Sequence, residues 1–246
     1  MIYWLGTEPD SPFPPHSLAL EEPNGLLAAG GDLHPQRLIK AYHRGVFPWY
    51  SDEQPILWWS PDPRCVLPVQ HFHISRRFQR QLKRSTVSIS VDRAFNAVLN
   101  ACADIPRKEE HGTWIVPEMK AAYLQLFELG YAHSVEVWHE EELVGGLYGV
   151  LVGRMFFAES MFTVREAGSK IALLTLCRLM HRAGAQMIDC QLSNPHLFRL
   201  GACEIPRAQF LKAVDWHSSK AMASPLPSAS LKPQQLIDAN DLSAWV

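Results

Sequence analysis

The pattern of hydrophobic and polar positions predicts regular secondary structure from about residue 63 onward. Three apolar runs separated by short connections indicate an antiparallel meander of strands over residues 132–138, 143–150 and 154–162. A long helix over residues 168–182 follows the meander, and a strand over residues 186–192 comes next. The chain therefore alternates between sheet and helix within one continuous region.

Shorter elements precede the meander. We predict strands over residues 65–69 and 87–91, and helices over residues 75–84, 93–103 and 117–129. Asp92 is placed to cap the helix that begins at residue 93. The order meander, helix, strand is that of the core of the GNAT acyltransferase fold, which is an analogy of fold alone.

The first 62 residues have a different character. They are rich in Pro, Gly and Trp, and they contain one clear helix over residues 35–44 and a short strand over residues 55–59. We predict an α/β (α+β) protein with a small N-terminal domain over residues 1–62 and a GNAT-like acyltransferase domain over residues 63–215. The Ser-, Ala- and Pro-rich composition of residues 216–246 predicts a flexible tail.

Charge and composition narrow the function classes. The 23 Lys and Arg residues against 25 Asp and Glu give a net charge of −2, so any RNA contact must come from a local basic patch. The start of the chain lacks a leader pattern, and the longest apolar stretch is too short to span a bilayer. Five scattered cysteines without a CxxC pair are typical of free thiols. We expect a cytoplasmic protein with no membrane partner.

Several common chemistries lack their sequence pattern. The chain has no GxxxxGK[ST] phosphate loop, no GxSxG elbow and no pyrophosphate loop of the type that acyl-CoA enzymes use. His71 and His73 have the spacing of strand neighbours, but no third ligand is evident. We therefore expect neither a metal nor a cofactor.

Acidic positions within apolar strands are the candidate catalytic groups. Asp189 and Gln191 are two residues apart, so a regular strand places them on one face about 7 Å apart. A carboxylate beside a carboxamide can orient the amide toward a substrate amine, although a polar pair satisfied at a strand end is the alternative. Glu159 requires a cation, which a substrate, Lys170 or Arg165 would supply.

A basic helix and isolated aromatic residues are candidates for RNA contact. Five of the nine residues from 76 to 84 are basic and none is acidic, while Phe78 and Leu82 share the opposite, core-facing side. This favours a phosphate-binding face, with a merely solvated face as the alternative. Trp114 lies in a polar loop, where an indole can stack on a base, although a single Trp is more often part of a core.

The chain resembles the leucyl/phenylalanyl-tRNA–protein transferase family over about residues 13–212. The motifs that carry this resemblance are, in chain order, EPNGLLA (22–28), GGDL (30–33), RGVFPW (44–49), ILWWSPDPR (56–64), HISR (73–76), GTWI (112–115), HSVEVW (133–138), LVGG (143–146), ESMF (159–162), IDCQ (188–191) and LGACEIPR (200–207). Ala158 stands where the family pattern has Gly, and Leu147 where it has Met, so we expect a change in pocket width. The tail does not resemble the family.

The resemblance implies an enzyme that transfers Leu, Phe or Met from aminoacyl-tRNA to the N-terminal Arg or Lys of proteins. The transferred residue marks its acceptor for N-end rule degradation. The reaction is aminolysis of an activated ester, so the enzyme mainly has to align two substrates. An α-amine with a pKa near 8 is neutral in roughly a tenth of molecules at pH 7, so no strong base is needed.

Site residues follow from the resemblance and from the patterns above. Gln191, oriented by Asp189, is expected to accept a hydrogen bond from the attacking amine, with Glu159 near the cationic end of the acceptor. Either Gln191 acts directly on the amine proton or the tRNA ribose hydroxyl shuttles it, and both routes remain open. Trp49 and Trp114 are expected to hold the terminal adenine. The donor pocket is expected to be lined by Leu147, Phe156, Met161, Leu176 and Ile188. The tRNA-binding residues are expected to be Arg76, Arg80, Lys83 and Arg84. We expect a monomer.

Three other functions remain open at this point. A Fem-like transferase uses the same donor but modifies a cell-wall precursor. A non-catalytic RNA-binding protein needs the basic helix and the Trp residues but has no use for Asp189, Gln191 and Glu159. An acyl-CoA N-acetyltransferase is disfavoured by the missing pyrophosphate loop.

Overall fold

The computed structural model describes residues 2–8, 10–104, 115–222, 226 and 230–237. The strands in this part of the chain are β1 (Tyr3–Leu5), β2 (Leu26–Gly30), β3 (Phe47–Pro48), β4 (Leu57–Trp59), β5 (Arg64–Pro68), β6 (Ser88–Val91), β7 (Ala132–His139), β8 (Glu142–Val152), β9 (Met155–Thr163), β10 (Met187–Gln191) and β11 (Cys203–Ile205). The α-helices are α1 (Pro35–His43), α2 (Arg76–Arg84), α3 (Phe95–Asp104), α4 (Pro117–Glu128), α5 (Gly168–Arg182), α6 (Pro195–Arg199) and α7 (Arg207–Ser218). Short 3₁₀ turns cover His16–Leu18 and Pro233–Leu236.

Two sheets organise the described residues. The strand order is β1-β2-β4-β3 in the smaller sheet and β11-β5-β10-β9-β8-β7-β6 in the larger one. The predicted meander is confirmed, because β7, β8 and β9 pair antiparallel in sequence. Helix α5 has the predicted bounds, and it connects β9 to the parallel strand β10. The molecule is therefore a mixed α/β protein with a GNAT-like larger sheet.

The hydrophobic core contains residues from both sides of the predicted domain boundary at residue 62. The smaller sheet is formed before this boundary and the larger sheet after it. Leu38 and Tyr42 on α1 are fully buried in the same cluster as Tyr123 on α4 and Phe157 on β9. The rings of Tyr42 and Phe157 lie 5.1 Å apart, centroid to centroid. Helix α1 is thus fixed against the larger sheet by aromatic packing, which brings residues of the first 62 into the site described below.

The predicted cap of helix α3 is wrong. Asp92 has a φ of 58°, and its carboxylate accepts a hydrogen bond from the backbone N–H of Ser134 at 2.7 Å. The same carboxylate lies 2.7 Å from His133 Nδ1. Because Asp92 ties β6 to β7 instead, the helix begins only at Phe95.

The prediction of a flexible tail also fails for the residues that the structure describes. Helix α7 continues to Ser218, and farther on Leu231 exchanges two backbone hydrogen bonds with Ile89 on the outer strand β6. The side chains of Leu231 and Leu236 are 1% and 0% exposed. Leucines that pack on the core and cover a sheet edge outweigh the polar composition of this segment.

Candidate active site

The site lies where two parallel strands separate. Strands β9 and β10 are paired at Phe156 and Phe157, opposite Ile188 and Asp189. Immediately beyond these pairs, each strand is irregular on its other side. The pairing of β9 with β8 skips Glu159, and that of β10 with β5 skips Cys190. Bulges of this kind redirect side chains and often lie beside active sites.

Gly149 permits the irregularity in β9. It pairs with Ala158, next to Glu159, and a Cβ at position 149 would lie 2.2 Å from the carbonyl oxygen of Phe157. Only glycine therefore allows strand β8 to approach β9 this closely.

Two tyrosines hold the Glu159 carboxylate. The Tyr42 hydroxyl donates to Glu159 Oε1 at 2.8 Å, and the Tyr123 hydroxyl donates to Oε2 at 2.7 Å. The two hydroxyl oxygens lie 2.9 Å apart. Helices α1 and α4 thus each contribute one hydroxyl donor to Glu159, which lies on strand β9.

Neither internal cation predicted for Glu159 contacts it. Arg165 instead pairs with Glu142 at 2.8 Å, and no ion pair joins Lys170 to Glu159 in the described part of the chain. Burial raises the pKa of Glu159 to about 7, although the hydrogen bonds from Tyr123 and Tyr42 favour the ionised form. Burial and then the charge of Glu159 raise the pKa of both phenols, so they remain protonated donors.

Asp189 is fully buried and paired with a cation. Its side chain is 0% exposed and accepts from Arg64 Nε at 2.8 Å and from Arg64 Nη2 at 2.6 Å. It also accepts from the backbone N–H of Gln191 at 3.0 Å. The predicted contact through the carboxamide is therefore wrong, since Asp189 contacts Gln191 through the backbone N–H.

The regular alternation predicted for residues 189 and 191 ends at the bulge. Gln191 has a φ of 56°, in the left-handed region that most residues avoid. Its carboxamide nitrogen lies 3.5 Å from Glu159 Oε1. Because the nitrogen faces Glu159, the carboxamide oxygen remains available to accept a hydrogen bond from a substrate.

An apolar cavity of about 240 Å³ opens beside these two side chains. Its polar wall is formed by Glu159, Ser160, Gln191 and Asn194. The remaining lining residues are Leu147, Ala158, Met161, Leu173, Cys190, Leu192 and Leu197. A cavity with one polar side suits a ligand that carries an apolar group and a reactive polar end.

Two of the five predicted pocket residues line this cavity, namely Leu147 and Met161. The other three, Phe156, Leu176 and Ile188, are 0% exposed and form the core behind it. Their apolar character identified the region but did not distinguish wall from core. Both positions that depart from the family pattern, Leu147 and Ala158, lie in the cavity wall.

A second cavity of about 260 Å³ shares Glu159 and Gln191 with the first. Trp49 forms its outer wall, together with Phe47 and Pro48. The Trp49 ring packs edge-on against Trp59, with 5.6 Å between centroids, and Trp59 Nε1 donates to the Trp49 carbonyl oxygen. Trp49 is thus a braced aromatic surface beside the polar groups. Trp114 lies outside the described residues.

The predicted basic face of α2 is present. Phe78 and Leu82 are buried, whereas the four predicted phosphate contacts are exposed: Arg76, Arg80, Lys83 and Arg84. The fifth basic residue, Arg77, pairs with Glu166 at 2.8 Å. Most of the positive charge on this helix is therefore directed to solvent.

Sequence reasoning missed three site residues. Tyr42 and Tyr123 lie on helices α1 and α4, which the sequence predicted without marking either tyrosine as a site residue, and Arg64 was only part of a motif. Their polar atoms meet Glu159 and Asp189 from segments 117, 36 and 125 residues away in the chain. No local pattern carries that information.

The fold and site define an acyltransferase: an apolar cavity meets a carboxylate and a carboxamide at the opening between two parallel strands. Among the described residues, no group of three metal-binding side chains occurs, and no helix is both long and apolar enough to cross a membrane.

Comparison with known proteins identifies the particular family. The leucyl/phenylalanyl-tRNA protein transferase family matches residues 66–215, and its N-terminal domain matches residues 31–62. The leucyl/phenylalanyl-tRNA–protein transferase of Xanthomonas axonopodis pv. citri is 52% identical over 86% of this chain and 85% of its own length. The one of Xylella fastidiosa is 54% identical over 86% and 87%. The chain belongs to this family and is an aminoacyltransferase.

Solved structures match more distantly. L-PGS from Bacillus licheniformis is 19% identical, with a TM-score of 0.39 over 55% of this chain and 49% of that chain.

Proposed function

We propose that this chain transfers Leu, Phe or Met from aminoacyl-tRNA to the N-terminal Arg or Lys of acceptor proteins, and so marks them for N-end rule degradation. The observation that carries the proposal is the junction of the apolar cavity with Glu159 and Gln191, in a chain about half identical to enzymes named for this transfer. The enzyme acts as a monomer in the cytoplasm without a cofactor.

The donor occupies both cavities. Its apolar side chain enters the cavity lined by Leu147 and Met161, and its terminal adenosine stacks on Trp49. The family resemblance assigns the second adenine contact to Trp114, which lies outside the described residues. Burial of a Leu or Phe side chain contributes about 1.5–3 kcal/mol. The ester carbonyl then lies at the polar wall that the two cavities share. The exposed basic residues of α2 hold the acceptor stem through its phosphates, without reading sequence.

Glu159 binds the N-terminal ammonium group of the acceptor protein. Its carboxylate has no cationic partner among the described residues, and its oxygens accept only neutral donors there. An ammonium group supplies the missing charge. Because burial raises the pKa of Glu159 to about 7, a proton from an amine of pKa near 8 reaches it at a cost of about 1.4 kcal/mol.

Gln191 aligns the resulting amine for attack. Its carboxamide nitrogen lies toward Glu159, so its oxygen accepts a hydrogen bond from the amine N–H. The amine lone pair then points at the ester carbonyl. The new C–N bond forms, the C–O ester bond breaks, and a proton from the nitrogen passes to the ribose oxygen, which leaves as a hydroxyl group. Alignment of this kind supplies most of the catalysis, since the chemistry is already downhill.

The direct test is transfer of radiolabelled leucine from Leu-tRNA to a peptide with N-terminal Arg. We expect wild type to be active and Gln191→Ala to lose roughly 10²-fold or more in rate while it retains tRNA binding. Gln186→Ala is the matched control, because Gln186 is exposed just before the same strand. We expect this control to resemble wild type.

Two other results would redirect the proposal. Transfer only to a cell-wall precursor peptide would identify a Fem-like enzyme. Tight tRNA binding with no transfer to any amine would identify a non-catalytic RNA-binding protein, and Gln191→Ala would then leave every measurable property unchanged.

A further inference from the structure

Arg64 is an arginine buried directly behind the site. It begins strand β5, and its side chain is 0% exposed. The guanidinium lies between two aromatic rings, with its Cζ 4.8 Å from the Phe47 centroid and 4.5 Å from the Phe210 centroid. A planar cation between aromatic faces has little freedom to rotate. Phe47 itself lines the cavity that contains Trp49, so Arg64 lies one layer behind that wall.

The Arg64 guanidinium donates a hydrogen bond to each carboxylate oxygen of Asp189, at 2.8 and 2.6 Å. One of these oxygens also takes the backbone N–H of Gln191 at 3.0 Å. A continuous chain of hydrogen bonds therefore leads from the buried guanidinium to the backbone of the residue whose side chain faces the reacting amine.

We propose that Arg64 is a positioning residue, which holds Asp189 so that Asp189 fixes the backbone of Gln191 and thereby aims its carboxamide. The inference rests on the proposed function. Within it, Asp189 acts on the reaction through the backbone of Gln191, and not by contact with the amine.

The backbone of Gln191 needs such support. A φ of 56° is disfavoured for any residue with a Cβ, and it persists only when neighbouring groups hold it. The hydrogen bond to Asp189 is available in this conformation. The Asp189 carboxylate in turn is fully buried, so without a cation it would move toward water.

Among the described residues, Arg64 and Asp189 form an ion pair only with each other. Arg64 Nη1 is buried without a hydrogen-bond partner there, and the nearby His16 is neutral because burial lowers its pKa to about 4. No other carboxylate contacts Arg64 in that part of the chain. The position of Asp189 therefore depends on one guanidinium.

The test compares Arg64→Met with Arg37→Met. Arg37 is a suitable control because it is also 0% exposed and pairs with an aspartate, Asp32, at 3.1 Å, but away from the cavities. Thermal melting, kcat and the KM for Leu-tRNA are measured for both, together with the ¹⁵N amide shift of Gln191. Arg64→Lys keeps the charge without the two-pronged contact, and it is the variant to use if Arg64→Met does not fold.

We expect both Met variants to melt at lower temperature. Only Arg64→Met should lose 10- to 100-fold in kcat, with the donor KM within about twofold of wild type and the Gln191 amide signal displaced. Arg64→Lys should fall between Arg64→Met and wild type. A kcat for either Arg64 variant within twofold of wild type, or an equal loss in Arg37→Met, would overturn the inference. An inactive wild type would instead refute the proposed function itself.

Discussion

The Glu159→Gln substitution tests the role of the site carboxylate through the pH dependence of transfer. Burial raises the pKa of Glu159 to about 7, so the carboxyl group is mostly neutral below pH 7 and mostly ionised above it. If only the ionised form takes the acceptor ammonium, kcat/KM of wild type falls as the pH drops below about 7. Glutamine keeps the shape of the side chain and cannot ionise.

The size of the effect follows from two losses. A hydrogen bond to a charged group contributes about 1.5–3 kcal/mol, which corresponds to roughly 10- to 150-fold in rate. The variant also depends on acceptor molecules whose amine is already neutral, roughly a tenth of them at pH 7. We expect kcat/KM of Glu159→Gln to be roughly 10²- to 10³-fold below that of wild type at pH 7. At pH 8.5 this loss should be about tenfold smaller, because most of the acceptor amine is then neutral.

The assay is transfer of labelled leucine to an Arg-ended peptide, measured from pH 5.5 to 9. Wild type should show an inflection near 7, and Glu159→Gln should show one near 8, the value of the free amine. Glu136→Gln is the matched control, because Glu136 is also a buried carboxylate that accepts from two hydroxyl groups, those of Ser90 and Ser134. It should keep the wild-type profile. A Glu159→Gln variant that retains the inflection near 7 would refute the reasoning.

Four further outcomes are expected. Tyr123→Phe removes a hydrogen bond that favours ionised Glu159, so the inflection of kcat/KM should move above pH 7; an unchanged inflection would contradict this. The folded protein binds a proton at Glu159 more tightly than the unfolded chain does. As the pH rises from 4.5 to 7, the free energy of unfolding of wild type, measured in urea, should therefore fall relative to that of Glu159→Gln by up to about 3 kcal/mol. Ala158→Val narrows the donor cavity and should lower transfer from Phe-tRNA roughly tenfold more than transfer from Leu-tRNA in a competition assay. Equal losses for the two donors would show that cavity width does not limit the choice of donor. Arg80→Ala with Lys83→Ala should weaken all three aminoacyl-tRNAs alike and reduce the salt slope of binding by up to about 2, while Lys212→Ala on α7 serves as the exposed control.

Local pattern was enough for most of the secondary structure. The meander β7–β9 and helix α5 have strong periodicity over many residues, and both were predicted correctly. Composition failed where a few residues outweighed the average. The segment after Ser218 is rich in Ser and Pro, yet burial of Leu231 and Leu236 places part of it against the larger sheet.

By itself, the sequence determined which family this chain belongs to, which strands carry Glu159 and Gln191, and that α2 presents basic residues to solvent. Those properties depend on residue type and on spacings of a few residues. Tertiary structure alone decided which groups surround the site. Tyr42, Tyr123 and Arg64 reach their carboxylates from distant segments, and bulges at Glu159 and Cys190 interrupt the regular alternation of strand side chains. Long-range packing decides such contacts, and no local repeat along the chain encodes them.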